Sequence, residues 1–94
     1  MRPLTQALPG ALAELLRDVP LSAGKVTFAW RAAVGPSVDR ETFVLLENRV
    51  LFVDAANQHW AREVTRSSSL ILARMQTLLG KDTVARLDIR PPRS

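Results

Sequence analysis

The feature that most constrains this chain is a pair of β-prone runs, Thr42-Phe43-Val44-Leu45-Leu46-Glu47 and Val50-Leu51-Phe52-Val53-Asp54, held apart by only Asn48-Arg49. β-branched and aromatic side chains suit a pleated surface, and a two-residue connection between two such runs predicts an antiparallel hairpin. Arginine stands where the type I′ turn prefers glycine. With that loop length, Leu46 faces Leu51 and Val44 faces Val53 on one side, leaving Phe43, Leu45, Val50 and Phe52 on the other. Both faces are therefore apolar. A sheet covered by helices on one side alone would expose a hydrophobic patch, to be covered by a bound partner, a second copy or the first helix.

Helical spacing surrounds the hairpin. Leu8, Leu12, Leu15 and Leu16 share one face, with Pro9 suited to a first turn and an end near Asp18, before Pro20. A second helix runs from Ser22 as N-cap through Val26, Trp30, Ala33 and Val34 to Gly35-Pro36. A polar stretch then leads to the hairpin. Beyond it, Asn57 caps the longest helix, whose stripe of Trp60, Val64, Ile71, Leu72, Met75, Leu78 and Leu79 stops at Gly80, interrupted by Ser67 and Ser68 where a neighbouring element approaches closely. Val84 to Arg90 alternates at period two before Pro91-Pro92, as a closing strand would. The predicted class is α+β, in the order ααββαβ, with helices packed on a three-stranded sheet. Residues 1–90 form one domain in this reading and 91–94 a short tail.

Composition narrows the function. A hydrophobic fraction of 47% in dispersed groups predicts a folded core, and the absence of cysteine excludes a disulfide framework, a thiol nucleophile and a thiolate metal site. Met1-Arg2-Pro3-Leu4 lacks the apolar stretch of a secretory signal, and no apolar run approaches the ~20 residues that span a bilayer, so a cytoplasmic protein without membrane contact is expected. The net charge of +4 favours polyanions; all the basic residues but Lys25 and Lys81 are arginine, a bias that phosphate recognition and GC-rich coding both produce. The single histidine, His59, has no serine or carboxylate constellation near it in sequence, and the carboxylates show no ligand spacing. No catalytic residue, metal or cofactor is expected, and the chain reads as a binding protein.

Trp30-Arg31-Ala32-Ala33-Val34-Gly35 resembles the W-x-x-x-V-G signature of the DciA-like family. Some twenty residues later, Leu51-Phe52-Val53 followed by Trp60-Ala61-Arg62-Glu63-Val64 resembles that family's L-x-V and W-A-x-E-L. Leu79-Gly80 and the strand at Leu87 and Ile89 continue the match. The resemblance implies a K-homology-like fold and a bacterial DNA-replication factor that binds the replicative DNA helicase, assists its loading, and contacts single-stranded or forked DNA. Its signature positions here are Trp30, Val34, Gly35, Leu51, Val53, Trp60 and Glu63. The sequence carries no G-x-x-G, the loop by which true K-homology domains clamp a nucleic-acid backbone.

Both tryptophans lie on apolar stripes, which favours core packing over ligand stacking. Glu63 is placed to cap, to pair with Arg62 or Arg66, or to meet a partner. If Ala85, Leu87 and Ile89 point inward, Arg86, Asp88 and Arg90 point outward near Phe43 and Phe52, an arrangement of aromatics and arginines used to bind single strands. Arg62 and Arg66 form a basic stripe opposite Trp60, with Arg74 to one side. The readings beside the helicase adaptor are a general single-strand binder using Phe43, Phe52, Arg86 and Arg90, and a homodimer formed through the outer sheet face. Salt-sensitive single-strand binding that drops sharply in Phe52→Ala would assign that face to nucleic acid; unchanged binding would remove it.

Overall fold

A computed structural model describes residues 10–90. Leu8, Pro9 and the 91–94 tail of the sequence reading lie outside them. The described elements are α1 (Gly10–Arg17), α2 (Ala23–Val34), α3 (Pro36–Arg40), β1 (Thr42–Glu47), β2 (Val50–Ala55), α4 (Gln58–Arg66), α5 (Ser68–Leu79) and β3 (Arg86–Arg90). The α+β class and the element order hold, with one short helix and one helix break that the sequence reading lacks.

The hairpin forms in the expected register: Val44 pairs with Val53 and Leu46 with Leu51. Asn48 and Arg49 both take left-handed backbone angles, φ 50° and 67°, as a type I′ turn requires. Arginine is strained in that region. It is held there from both sides, because its Nε donates to the Asp82 carbonyl at 3.0 Å and its own carbonyl accepts from the Ala85 N–H at 2.7 Å. The turn is thereby tied to the segment that enters β3. β3 lies parallel to β2, Leu51 beside Leu87 and Val53 beside Ile89, giving the sheet order β1-β2-β3.

Ser22 caps α2, its hydroxyl accepting from the Lys25 N–H at 3.1 Å. The helix buries Val26, Ala29, Trp30, Ala33 and Val34. It ends at Gly35, whose φ of 87° is open to glycine at no steric cost, and Pro36 then starts α3 at once. α3 occupies what the sequence suggested was a polar connection. Trp30 is 1% exposed, and its Nε1 donates to Thr42 Oγ1 at 2.8 Å while that hydroxyl donates to the Val38 carbonyl at 2.8 Å. One threonine thus joins α2, β1 and α3.

The expected long helix from Asn57 to Gly80 is two helices. Asn57 caps α4 as predicted, Oδ1 accepting from the Trp60 N–H at 3.1 Å, but the backbone leaves the helical path at Ser67 (φ −101°, ψ 12°) and α5 begins anew. The three serines at 67–69 offer the apolar stripe nothing to bury, and the break lets α4 lie over β2 and β3 while α5 lies against α1 and α2. Two other expectations change. Trp60 is half-buried at the margin of α4, whose inward face is Ala61 and Val64; its ring meets His59 edge-on, 5.1 Å between centroids. Leu15 points outward, leaving Ala13 and Leu16 to anchor α1.

Arg74 is the largest departure. Far from extending a basic stripe, it is 7% exposed, and its guanidinium donates to the Ala33 carbonyl in the last turn of α2 at 2.9 Å. A cation there satisfies a terminal carbonyl and meets the negative end of the helix dipole. Arg74→Met retains the apolar stem and removes the donor. The unfolding free energy should fall by about 2 kcal/mol, as for hydrogen bonds to charged groups, read as a lower urea midpoint at unchanged m-value.

Candidate interaction surfaces

The alternation that buries Leu51, Val53, Leu87 and Ile89 toward the helices turns Phe43, Leu45, Val50, Phe52, Arg86, Asp88 and Arg90 to the opposite face. No described helix covers that face: Phe43 is 81% exposed and Leu45 52%. The structure therefore brings together the four residues expected on this face from sequence, Phe43, Phe52, Arg86 and Arg90. Their electrostatics differ from those of a basic platform. Arg90 is engaged by Asp54 through two contacts, Nε to Oδ1 at 2.8 Å and a terminal nitrogen to Oδ2 at 2.9 Å, and its guanidinium lies 5.1 Å from the Phe52 ring centroid. Arg86 is 3.9 Å from Asp88. Three carboxylates, Glu47, Asp54 and Asp88, thus face two guanidiniums on an apolar ground. Phe52 shares its ring face with Arg90, so Phe43 is the more open aromatic surface.

Arg62 and Arg66 belong to the other layer. Both are exposed on α4, a helix whose inward side meets the concealed face of the sheet, so the thickness of the sheet separates them from Arg86 and Arg90. Arg66 is paired loosely with Glu63 at 3.6 Å, one of the roles open to that glutamate, while Arg62 makes no ion pair among the described residues. The sheet-face group and the α4 stripe, read separately in the sequence, thus lie on two surfaces of different character. Trp30, Val34, Leu51 and Val53 of the signature are core, Gly35 is a helix stop, and Trp60 and Glu63 sit at the surface of α4. The burial of Arg74 and the tie between Arg49 and Asp82 are invisible to sequence reasoning, because neither the chain separation nor the local pattern signals them.

Among the described residues no cluster of three or more histidine, cysteine, aspartate or glutamate side chains is placed to hold a metal ion, and no helix is long and apolar enough to cross a membrane. Helices lie on one side of a small mixed sheet, and no described helix covers the other. The family model described as "Dna[CI] antecedent, DciA" matches residues 3–89, and the chain belongs to that family. Membership gives it a general role in DNA replication, as an accessory factor in the loading of the replicative helicase. No curated protein and no solved structure matches the chain.

Exposed ion pairs contribute little because water screens both partners. Arg90→Ala should change the unfolding free energy by less than about 1 kcal/mol, and added salt should shrink the difference in thermal midpoint.

Proposed function

We propose that this domain docks on the replicative DNA helicase through its open sheet face and touches single-stranded or forked DNA through Arg62 and Arg66 of α4. The observation that carries the reading is the character of the sheet face. It is apolar at Phe43, Leu45 and Phe52, and its arginines are matched by carboxylates. Desolvating such a face against protein is favourable, whereas a polyanion gains no net charge there. Cations available to phosphate lie on α4, where Arg62 has no acidic partner among the described residues. A general single-strand binder using Phe43, Phe52, Arg86 and Arg90 is the weaker reading, since Arg90 is already occupied by Asp54 and Phe52.

The test is co-elution with the replicative helicase of the same organism, alongside DNA binding at several salt concentrations. Wild-type chain should form the complex, and Phe43→Ser should weaken it at least tenfold, about 1.4 kcal/mol, with DNA affinity unchanged. Replacing Arg62 and Arg66 together by alanine should leave the helicase complex intact. The same pair should flatten the log-log salt dependence for single strands by about 0.7 for each phosphate that the chain no longer neutralises. A chain that binds DNA but forms no helicase complex at high concentration would favour the single-strand binder, and one that self-associates instead would favour a homodimer.

A further inference from the structure

His59 is exposed in the first turn of α4, and neither of its ring nitrogens makes a hydrogen bond or ion pair among the described residues. The half-buried Trp60 ring meets it edge-on, 5.1 Å between centroids, a contact that braces the imidazole at the surface. His59, Arg62, Glu63 and Arg66 stand at i, i+3, i+4 and i+7, the spacing of a single helix face, turned away from the buried Ala61 and Val64. The histidine thus continues the arginine stripe toward the start of the helix. The stripe spans about 10 Å of helix axis, long enough for His59 and Arg66 to meet different phosphates of one strand.

With the imidazole neutral, this face sets two arginines against one glutamate, and Glu63 is already drawn to Arg66 at 3.6 Å. Protonation of His59 adds a third cation. An imidazole in water ordinarily changes charge between about pH 5 and 8. The charged groups on the elements packed against α4 point elsewhere. Asp54 of β2 and Arg86, Asp88 and Arg90 of β3 turn to the open sheet face, and Arg74 of α5 is buried against the end of α2. Glu41, near the start of α4, is joined to Ala56 through its carbonyl. A phosphate beside His59 favours the protonated ring, so binding and proton uptake promote each other. In the first turn of α4 that phosphate also meets the positive end of the helix dipole.

We infer that His59 is a proton-dependent phosphate contact of the α4 surface, so that single strands bind more tightly, and with uptake of a proton, as the pH falls. The inference rests on the reading of Arg62 and Arg66 as the DNA contact and is independent of the helicase contact at the open sheet face.

The test uses the full chain and oligothymidylate, whose bases keep their charge across the range, with binding measured by calorimetry at several salt concentrations. Between about pH 8 and about pH 5.5 the wild-type affinity should rise. The rise should be about fivefold at about 0.1 M salt, and the log-log salt dependence should steepen by about 0.7, one further phosphate being neutralised. Titrations at about pH 6.5 in two buffers of different ionisation enthalpy should show protons taken up on binding. His59→Gln keeps every carboxylate and arginine, so it should bind like the wild type at the higher pH and lose the rise, the steeper slope and the proton uptake. His59→Arg carries the charge at every pH and should bind at the higher pH as the wild type does at the lower. An equal pH response in His59→Gln and wild type, or no gain in His59→Arg, would overturn the inference. Replacing Arg62 and Arg66 together by alanine separates the two readings. A salt slope unchanged in that variant overturns the α4 surface and this inference with it, whereas a flattened slope there beside an unaltered pH response in His59→Gln overturns this inference alone.

Discussion

The hydrogen bond from the Trp30 indole to Thr42 sets the frame of this molecule. A buried indole N–H without an acceptor costs roughly 1–3 kcal/mol, so α2 must lie where Trp30 reaches the first residue of β1. The same hydroxyl then fixes α3 by donating to Val38. With α2 placed, its last turn presents the Ala33 carbonyl to Arg74, and α5 is held by a polar contact as well as by Met75 and Leu78. These three directional bonds, set in a largely apolar core, select one arrangement of helices from the many that hydrophobic burial alone would permit.

The hairpin was legible in the sequence down to its register, because strand alternation and a two-residue loop leave only one pairing that keeps Val44, Leu46, Leu51 and Val53 together. The caps at Ser22 and Asn57 were legible for a similar reason, being local chemistry. The break at Ser67 was visible only as a fault in a stripe; that it divides the helix depends on α4 and α5 having different neighbours. Trp60 illustrates the limit of periodicity, since position 60 shares a helix face with Val64 and still lies at the margin of the contact. Arg74 and Arg49 escaped because their partners, Ala33 and Asp82, are far away in sequence and are backbone carbonyls, which carry no residue signature. Alternation sufficed to put Phe43, Phe52, Arg86 and Arg90 on one side of the sheet. It could not say on which side of the sheet the α4 stripe of Arg62 and Arg66 would lie, as strand order alone does not say which layer a helix joins.

The division of charge follows from this layering. Arginines on β3 point to the open face and find Asp54 and Asp88 across or along the strands, whereas Arg62 on the helical layer finds none. A chain with an excess of positive charge therefore presents an apolar sheet face whose arginines are paired with carboxylates, and on the other side Arg62 without an acidic partner among the described residues. In the proposed reading, that separation keeps the protein and nucleic-acid ligands from competing for one surface.

The parallel pairing of β2 with β3 has a consequence for how the chain acquires this shape. The central strand has one neighbour supplied by a tight turn and another that arrives only after both α4 and α5 have been traversed. The hairpin can close within microseconds, but the sheet cannot be completed by local contacts. During synthesis, β2 keeps an unpaired edge until residues 86–90 have left the ribosome, and the Ala85 bond to the hairpin turn forms only then. Maturation of the whole fold is thus gated by its last strand, and a nascent or truncated chain lacking it would expose an apolar strand edge suited to aggregation or to capture by a chaperone.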